Sequence, residues 1–228
     1  MADTKKLEFI CLANSGRSEP ARIIAQDYLE HQGLADQYTA ISSGTGVDDI
    51  AAGRESPTFK VQMIRKGIGR GIYGGQGTSI AAVLGDSDAE VDARYKSDMT
   101  YRALVTEAFY DAKRVFKADE YANRDAALKG VGLEGRLKAA PEQTVARSDV
   151  IAVLPMAKTN TDKARKIYHA AGLNPIIESL KPYAIGGTED LPNAFGESAE
   201  AYRTMFDQLR SLVPRAVDKA IEHYEATK

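Results

Sequence analysis

The sequence predicts an α/β fold, a three-layer sandwich around a central parallel sheet of about four strands. Three observations carry that prediction. A short apolar run, Leu7–Leu12, passes directly into a helical pattern. A second run, from Asp149 to Pro155, is continuously apolar, as suits a strand buried on both faces in the middle of a parallel sheet. The chain ends in a long one-sided helix whose apolar face includes Tyr202, Met205, Phe206, Leu209, Val213, Val217 and Tyr224.

Taken in order, Leu7–Leu12 is the first strand, and a tight loop follows it. A helix begins near Ser18, with Pro20 in its first turn where a missing N–H does little harm. It runs through Ile23, Ile24 and Tyr28 to about His31, and Gly33 ends it. Tyr38–Ser42 is the second strand, followed by the turn Ser42, Ser43, Gly44, Thr45, Gly46. Residues 57–66 open another helix. The glycine-rich stretch Gly67–Gly77 contains G-x-G-x-x-G at Gly69, Gly71 and Gly74. A dinucleotide loop needs a strand directly before it, and Lys60–Lys66, charged at both ends, is a poor one, so a flexible glycine loop is expected. Residues 97–127 are helical, with Tyr101, Val105, Ala108, Phe109, Ala112 and Phe116 on one stripe. Thr161–Ala171 is a helix stopped by Gly172–Pro175, and 175–178 a last short strand. Ser198 caps the final helix, which Pro214 should kink.

With 228 residues the chain is one large domain or two small ones. The pattern is taken as a single domain, 1–228, with a mainly helical insertion at roughly 67–138. That insertion is read either as a cap over the site or as a dimerisation element that would give a homodimer. A net charge of −2 supplies no broad basic field, so nucleic acid and anionic membrane are not expected partners. The N-terminus lacks the apolar stretch of a signal peptide, and no apolar run is long enough to span a bilayer. The single cysteine cannot form an internal disulfide, which fits a cytoplasmic protein. His31, His169 and His223 are scattered without metal-ligand spacing, so no metal and no cofactor is expected.

That cysteine, Cys11, ends the first strand, and Arg17 and Ser18 follow after five intervening residues. A strand, a tight loop and a helix N-terminus build an anion cradle from inward-facing N–H groups of Leu12, Ala13, Asn14, Ser15 and Gly16. Arg17 adds a planar fork of donors suited to two oxygens of a tetrahedral anion. A helix N-terminus and a guanidinium both favour thiolate, so the loop offers an oxyanion site and a nucleophile together.

The segment Cys11–Ser18 resembles the phosphate loop of the low-molecular-weight protein tyrosine phosphatases, whose motif is Cys-x5-Arg-Ser after the first strand, with an Asn in the loop, here Asn14. The thioredoxin-coupled arsenate reductases share that loop. The turn at Ser42 is similar to the family's second-strand turn, and the resemblance implies that Ser42 hydrogen-bonds the loop and helps hold Asn14. It covers 7–46 well and 149–225 more loosely.

The resemblance also implies a general acid, an Asp in an Asp-Pro-aromatic loop before the last helix. The corresponding segment is Asp190–Ser198, with the family's aromatic matched at Phe195, but the acid position holds Asn193 and the next residue is Ala194. Either Asp190, or Glu189 beside it, swings in as the acid from a shifted loop, or the substrate has a good leaving group, such as an acyl phosphate or phosphoramidate, that needs less help. The function implied is a cysteine-dependent phosphatase working through a phosphocysteine on phosphorylated protein or small aryl and acyl phosphates. Two alternatives stand beside it: arsenate reduction, which here needs an external thiol because no second cysteine exists, and an oxyanion or phosphopeptide binder without turnover.

Overall fold

The computed structural model describes residues 4–85 and 87–227; residues 1–3, on which part of the N-terminal reading rests, lie outside it. Four strands form one parallel sheet: β1 (Lys5–Cys11), β2 (Tyr38–Gly44), β3 (Val150–Pro155) and β4 (Ile176–Ile177). Their order is β2-β1-β3-β4, with Cys11 opposite Gly44 at the end of the β1–β2 ladder. The chain leaves β1 for one neighbour and later returns beside it as β3. Cys11 thus sits at the switch point where open parallel sheets place their ligand crevices.

The helices are α1 (Ser18–His31), α2 (Val47–Ala51), α3 (Pro57–Gly69), α4 (Gly77–Val83), α5 (Asp88–Ser97), α6 (Met99–Lys129), α7 (Lys158–Ala170), α8 (Leu180–Ile185) and α9 (Ala199–Ala226). Strand periodicity sorts β1 between two layers. Leu7, Phe9 and Cys11 face the core shared with α1, α8 and α9, while Ile10 faces the smaller core under α7. Glu8 points to the α7 side as well, where it accepts from Tyr168 Oη at 2.5 Å and Ser43 Oγ at 2.6 Å.

The α1 helix buries Ala21, Ile23, Ala25 and Leu29 and stops before Gly33, whose φ of 69° reverses the chain. In α9 the Ser198 hydroxyl caps the first turn by accepting from Ala201 N. Met205, Phe206, Leu209, Val213 and Val217 are sealed in the core, each contributing about 1.5–3 kcal/mol by leaving water. The helix continues past Pro214 to Ala226.

Between β2 and β3 the chain builds a second apolar cluster from α3, α4, α5 and α6, centred on Val61, Ile64, Leu84, Val91, Tyr101, Val105 and Phe109. The glycine-rich stretch is the end of α3 and a turn, with Gly71 and Gly74 at φ 72° and 53°, leading through a 3₁₀ turn into α4. A helix precedes it where a dinucleotide loop needs a strand. The 31 residues of α6 span roughly 46 Å, so its start packs in this cluster while Leu128 near its end joins the main core. Among the described residues no helix is long and apolar enough to cross a membrane.

Candidate active site

The loop 12–17 joins β1 to α1 in a run of bends, and its walls are tied down on the β2 side. Thr45 N donates to Cys11 O and Gly46 N to Leu12 O, both at 3.0 Å. The loop approaches so closely that a Cβ on Gly44 would stand 2.6 Å from Leu12 O and 2.8 Å from Asn14 N. This is the physical reason for glycine in that turn.

Inside the loop the polar groups converge on sulfur. Asn14 N donates to Cys11 Sγ at 3.2 Å, and Ser18 Oγ lies 3.1 Å from the same atom. Asn14 holds a φ of 52°, the left-handed region that asparagine tolerates better than most residues. That conformation is fixed by its side chain: Oδ1 accepts from Ser18 Oγ at 3.0 Å, and Nδ2 donates to Ser42 O at 3.4 Å. The Ser42 hydroxyl turns away to Glu19 Oε2 at 2.5 Å. Thus the backbone of Ser42 holds Asn14, whereas its side chain holds Glu19. Glu19 is buried, which by itself raises its pKa. Hydrogen bonds from Arg22, Ser42 and the Lys138 N–H together outweigh burial and leave the carboxyl below its ordinary value.

The loop opens on a cavity of about 470 Å³, within the usual range of small-molecule sites. Cys11, Leu12, Ala13, Ser15, Gly16 and Arg17 form its floor. Val47, Ile50, Phe59, Phe109, Pro141 and Phe195 make its sides apolar, and Lys113, Lys117, Glu120 and Tyr121 reach in from α6. The Arg17 guanidinium spans toward the 190s segment and donates from Nη1 to Leu191 O at 3.2 Å. Tyr202 of α9 donates to Gly16 O at 2.8 Å and supports the loop from behind.

No family model and no curated protein matches the chain. Solved structures do. The low-molecular-weight protein tyrosine phosphatase from T. tengcongensis is similar with a TM-score of 0.53 at 14% identity, over 95% of this chain and 99% of that one. The chain has the fold of the low-molecular-weight protein tyrosine phosphatases. Vibrio vulnificus Wzb in complex with benzylphosphonate is similar at TM-score 0.51 and 13% identity, over 95% of this chain and 99% of that one. The YwlE arginine phosphatase from Geobacillus stearothermophilus is similar at TM-score 0.50 and 15% identity, over 98% and 97%.

On this low-molecular-weight phosphatase fold the sequence-predicted residues divide. Cys11, Asn14, Arg17 and Ser18 come together at the loop, and Phe195 and Asn193 both line the cavity. Phe195 packs edge-on to Phe116 at 5.9 Å, and Lys66 fixes its backbone by donating to Phe195 O at 2.8 Å. Asp190, expected as the acid, has its carboxylate at the start of α7. Its Oδ1 accepts from Lys158 N at 2.8 Å at the start of α7, where Ala157 offers no side-chain cap of its own. The helix N-terminus attracts a carboxylate, and this one satisfies an otherwise orphaned N–H.

Sequence reasoning missed Glu120. It stands four residues after Phe116 on the buried stripe of α6, and its place on an apolar stripe was the available signal. Ser15 Oγ donates to Glu120 Oε2 at 2.8 Å, and a Cβ on Gly16 would stand 2.0 Å from Glu120 Oε1, so the carboxyl rests on the loop itself. Burial raises its pKa above the ordinary 4.5, opposed in part by the Ser15 hydrogen bond and the positive charges of Arg17, Arg124 and Lys117.

Proposed function

We propose that the chain is a phosphatase that hydrolyses phosphate monoesters through a phosphocysteine intermediate. One observation carries this reading: the Asn14 N–H and the Ser18 hydroxyl both converge on Cys11 Sγ, within 3.2 Å, at the floor of a cavity that Arg17 shares. The phosphoryl group sits in the loop, where N–H groups and the Arg17 guanidinium hold its oxygens. Cys11 sulfur attacks phosphorus in line with the leaving oxygen. Ser18 donates to the sulfur as it departs in the second step, when water releases phosphate.

The apolar sides of the cavity favour an aryl or similarly apolar substituent on the phosphate, carried by a phosphotyrosine-like side chain or a small aryl or acyl phosphate. Wzb was solved with benzylphosphonate and YwlE is named an arginine phosphatase, so phosphoramidates belong in the substrate screen beside aryl esters. The test is phosphate release from p-nitrophenyl phosphate with detection of the phosphocysteine by mass spectrometry. Cys11→Ser should abolish both; an undiminished rate in that variant sinks the mechanism.

A further inference from the structure

We propose that Glu120 is the general acid of this site, giving its carboxyl proton to the leaving oxygen and then taking one from the attacking water. The inference rests on the phosphatase reading and deepens it.

Geometry places the group. Two carboxyl side chains line the cavity, Glu55 and Glu120. Glu55 is paired with Lys113 of α6. Glu120 lies on the loop, accepting from Ser15 at 2.8 Å and filling the space over Gly16 that any larger residue would take. Gly16 and Arg17 are floor residues beside Cys11, so the carboxyl borders the position of a bound phosphoryl group. It projects from the middle of a long helix anchored at both ends, which fixes it more firmly than a loop would. The other candidates fail as donors: Asn193 is an amide, and Asp190 is bound to the start of α7.

The surroundings suit an acid. Burial favours the protonated form, and Ser15, donating to Oε2, leaves Oε1 to carry the proton. The charges acting on Glu120 are Arg17 on the loop and Lys117 and Arg124 on α6; Tyr202 on α9 is coupled to it, and Cys11, Glu55, Lys113 and Tyr121 share its cavity. The three cations limit how far burial can raise the pKa.

The steps balance. As the sulfur–phosphorus bond forms, the bond to the leaving oxygen breaks with its electron pair, and that oxygen takes the Glu120 proton. Water then attacks phosphorus and gives a proton to the carboxylate. The sulfur–phosphorus bond breaks, its pair returns to sulfur, and phosphate leaves with Glu120 protonated again.

The experiment compares wild type with Glu120→Gln on a graded series of esters: dinitrophenyl, phenyl and alkyl phosphate. It reads kcat/KM, its pH profile and vanadate affinity. Glu120→Gln should keep vanadate affinity and lose roughly a hundred- to ten-thousand-fold on phenyl and alkyl phosphate, with a far smaller loss on the dinitrophenyl ester. Wild type should lose activity on poor leaving groups as pH rises through the ionisation of Glu120, and the variant should lack that limb. Should Glu120→Gln fail to bind vanadate, Glu120→Asp provides the readout, because an acid one methylene shorter must retain the alkaline limb at reduced rate. Equal losses across the series, or an alkaline limb that survives in Glu120→Gln, overturns the Glu120 assignment alone. A wild-type chain that binds vanadate but releases phosphate from none of the esters overturns the phosphatase reading and this assignment together.

Discussion

The Ser18 hydroxyl stands 3.1 Å from Cys11 Sγ and donates at 3.0 Å to Asn14 Oδ1. With Ser43 O also within 3.3 Å, one proton serves three acceptors. While the sulfur carries its own proton it can donate to Ser18 Oγ, and Ser18 donates to Asn14. When sulfur is an anion, Ser18 can turn to it. Ser18→Ala removes both arrangements, and loss of one such donor slows a reaction roughly a hundred- to a thousand-fold. The expected loss falls on the second step, where sulfur leaves. Rapid-mixing kinetics should show a phosphocysteine that forms and then persists.

Asn14 combines a strained backbone with two side-chain hydrogen bonds. Asn14→Ala should destabilise the fold by about 2 kcal/mol, from the left-handed φ and the unpaired partners left in Ser18 and Ser42. Asn14→Gly should recover about 1 kcal/mol of that, because glycine accepts the same φ without penalty. Urea unfolding of the three proteins checks the order.

Gly16→Ala would place a methyl group 2.0 Å from Glu120 Oε1 and 2.5 Å from its carboxyl carbon. Either Glu120 leaves Ser15 or the loop shifts, at a cost of about 1–3 kcal/mol. Adding Glu120→Ala to Gly16→Ala should relieve the clash, so the double variant should be more stable than the sum of the single losses. A double-mutant cycle measured by denaturant melts reads the coupling. Strict additivity would mean that the two residues do not touch.

Asp190→Ala should leave kcat/KM on aryl phosphates unchanged while lowering stability by about 1 kcal/mol, the usual effect of losing a helix cap. A large fall in kcat/KM, greater for poor leaving groups, would return the acid role to Asp190.

Burial raises the Glu8 carboxyl pKa above 4.5, outweighing its hydrogen bonds from Ser43 and Tyr168. The folded chain then holds this proton more tightly than the unfolded chain. Its contribution to stability is full below pH 4.5 and declines as pH rises from there through the raised value. Glu8→Gln removes the titration and keeps one acceptor oxygen, so one of the two hydroxyls must turn its own oxygen to the new amide N–H. Its stability should fall less steeply with pH than wild type over that window, the difference being at most about 1.4 kcal/mol per pH unit. Denaturant midpoints measured between acid and neutral pH check the slope.

The legible parts of this chain are those set by local chemistry. The β1–loop–α1 segment was readable because a strand end, a helix start and a Cys-x5-Arg-Ser spacing coincide within one stretch of residues. The start of α1 at Ser18 and the Ser198 cap of α9 followed from the same local logic. The short strand β4 was readable within 175–178, but the short helices α2, α4, α5 and α8 were not. α5 carries a single buried residue, Val91, so its polar sequence has no stripe to see. Asp190 was read toward the cavity, whereas its carboxylate meets Lys158 N; a carboxylate before the last helix can reach either place, and only tertiary structure decides. Glu120 shows in the sequence only as a carboxyl on an apolar stripe, because its contact with Ser15 joins residues 105 positions apart.

The α6 helix begins in one apolar cluster and ends in another. Its residues Lys117, Glu120 and Tyr121 form a wall of the cavity between those two anchorages. Loosening the packing of α3 and α5 on α6 would therefore be felt at the phosphate loop as a tilt of that wall, passed on through the Ser15–Glu120 hydrogen bond. Substitutions around Val61 or Val91, in a different apolar cluster from Cys11, belong among those that reshape what the cavity admits.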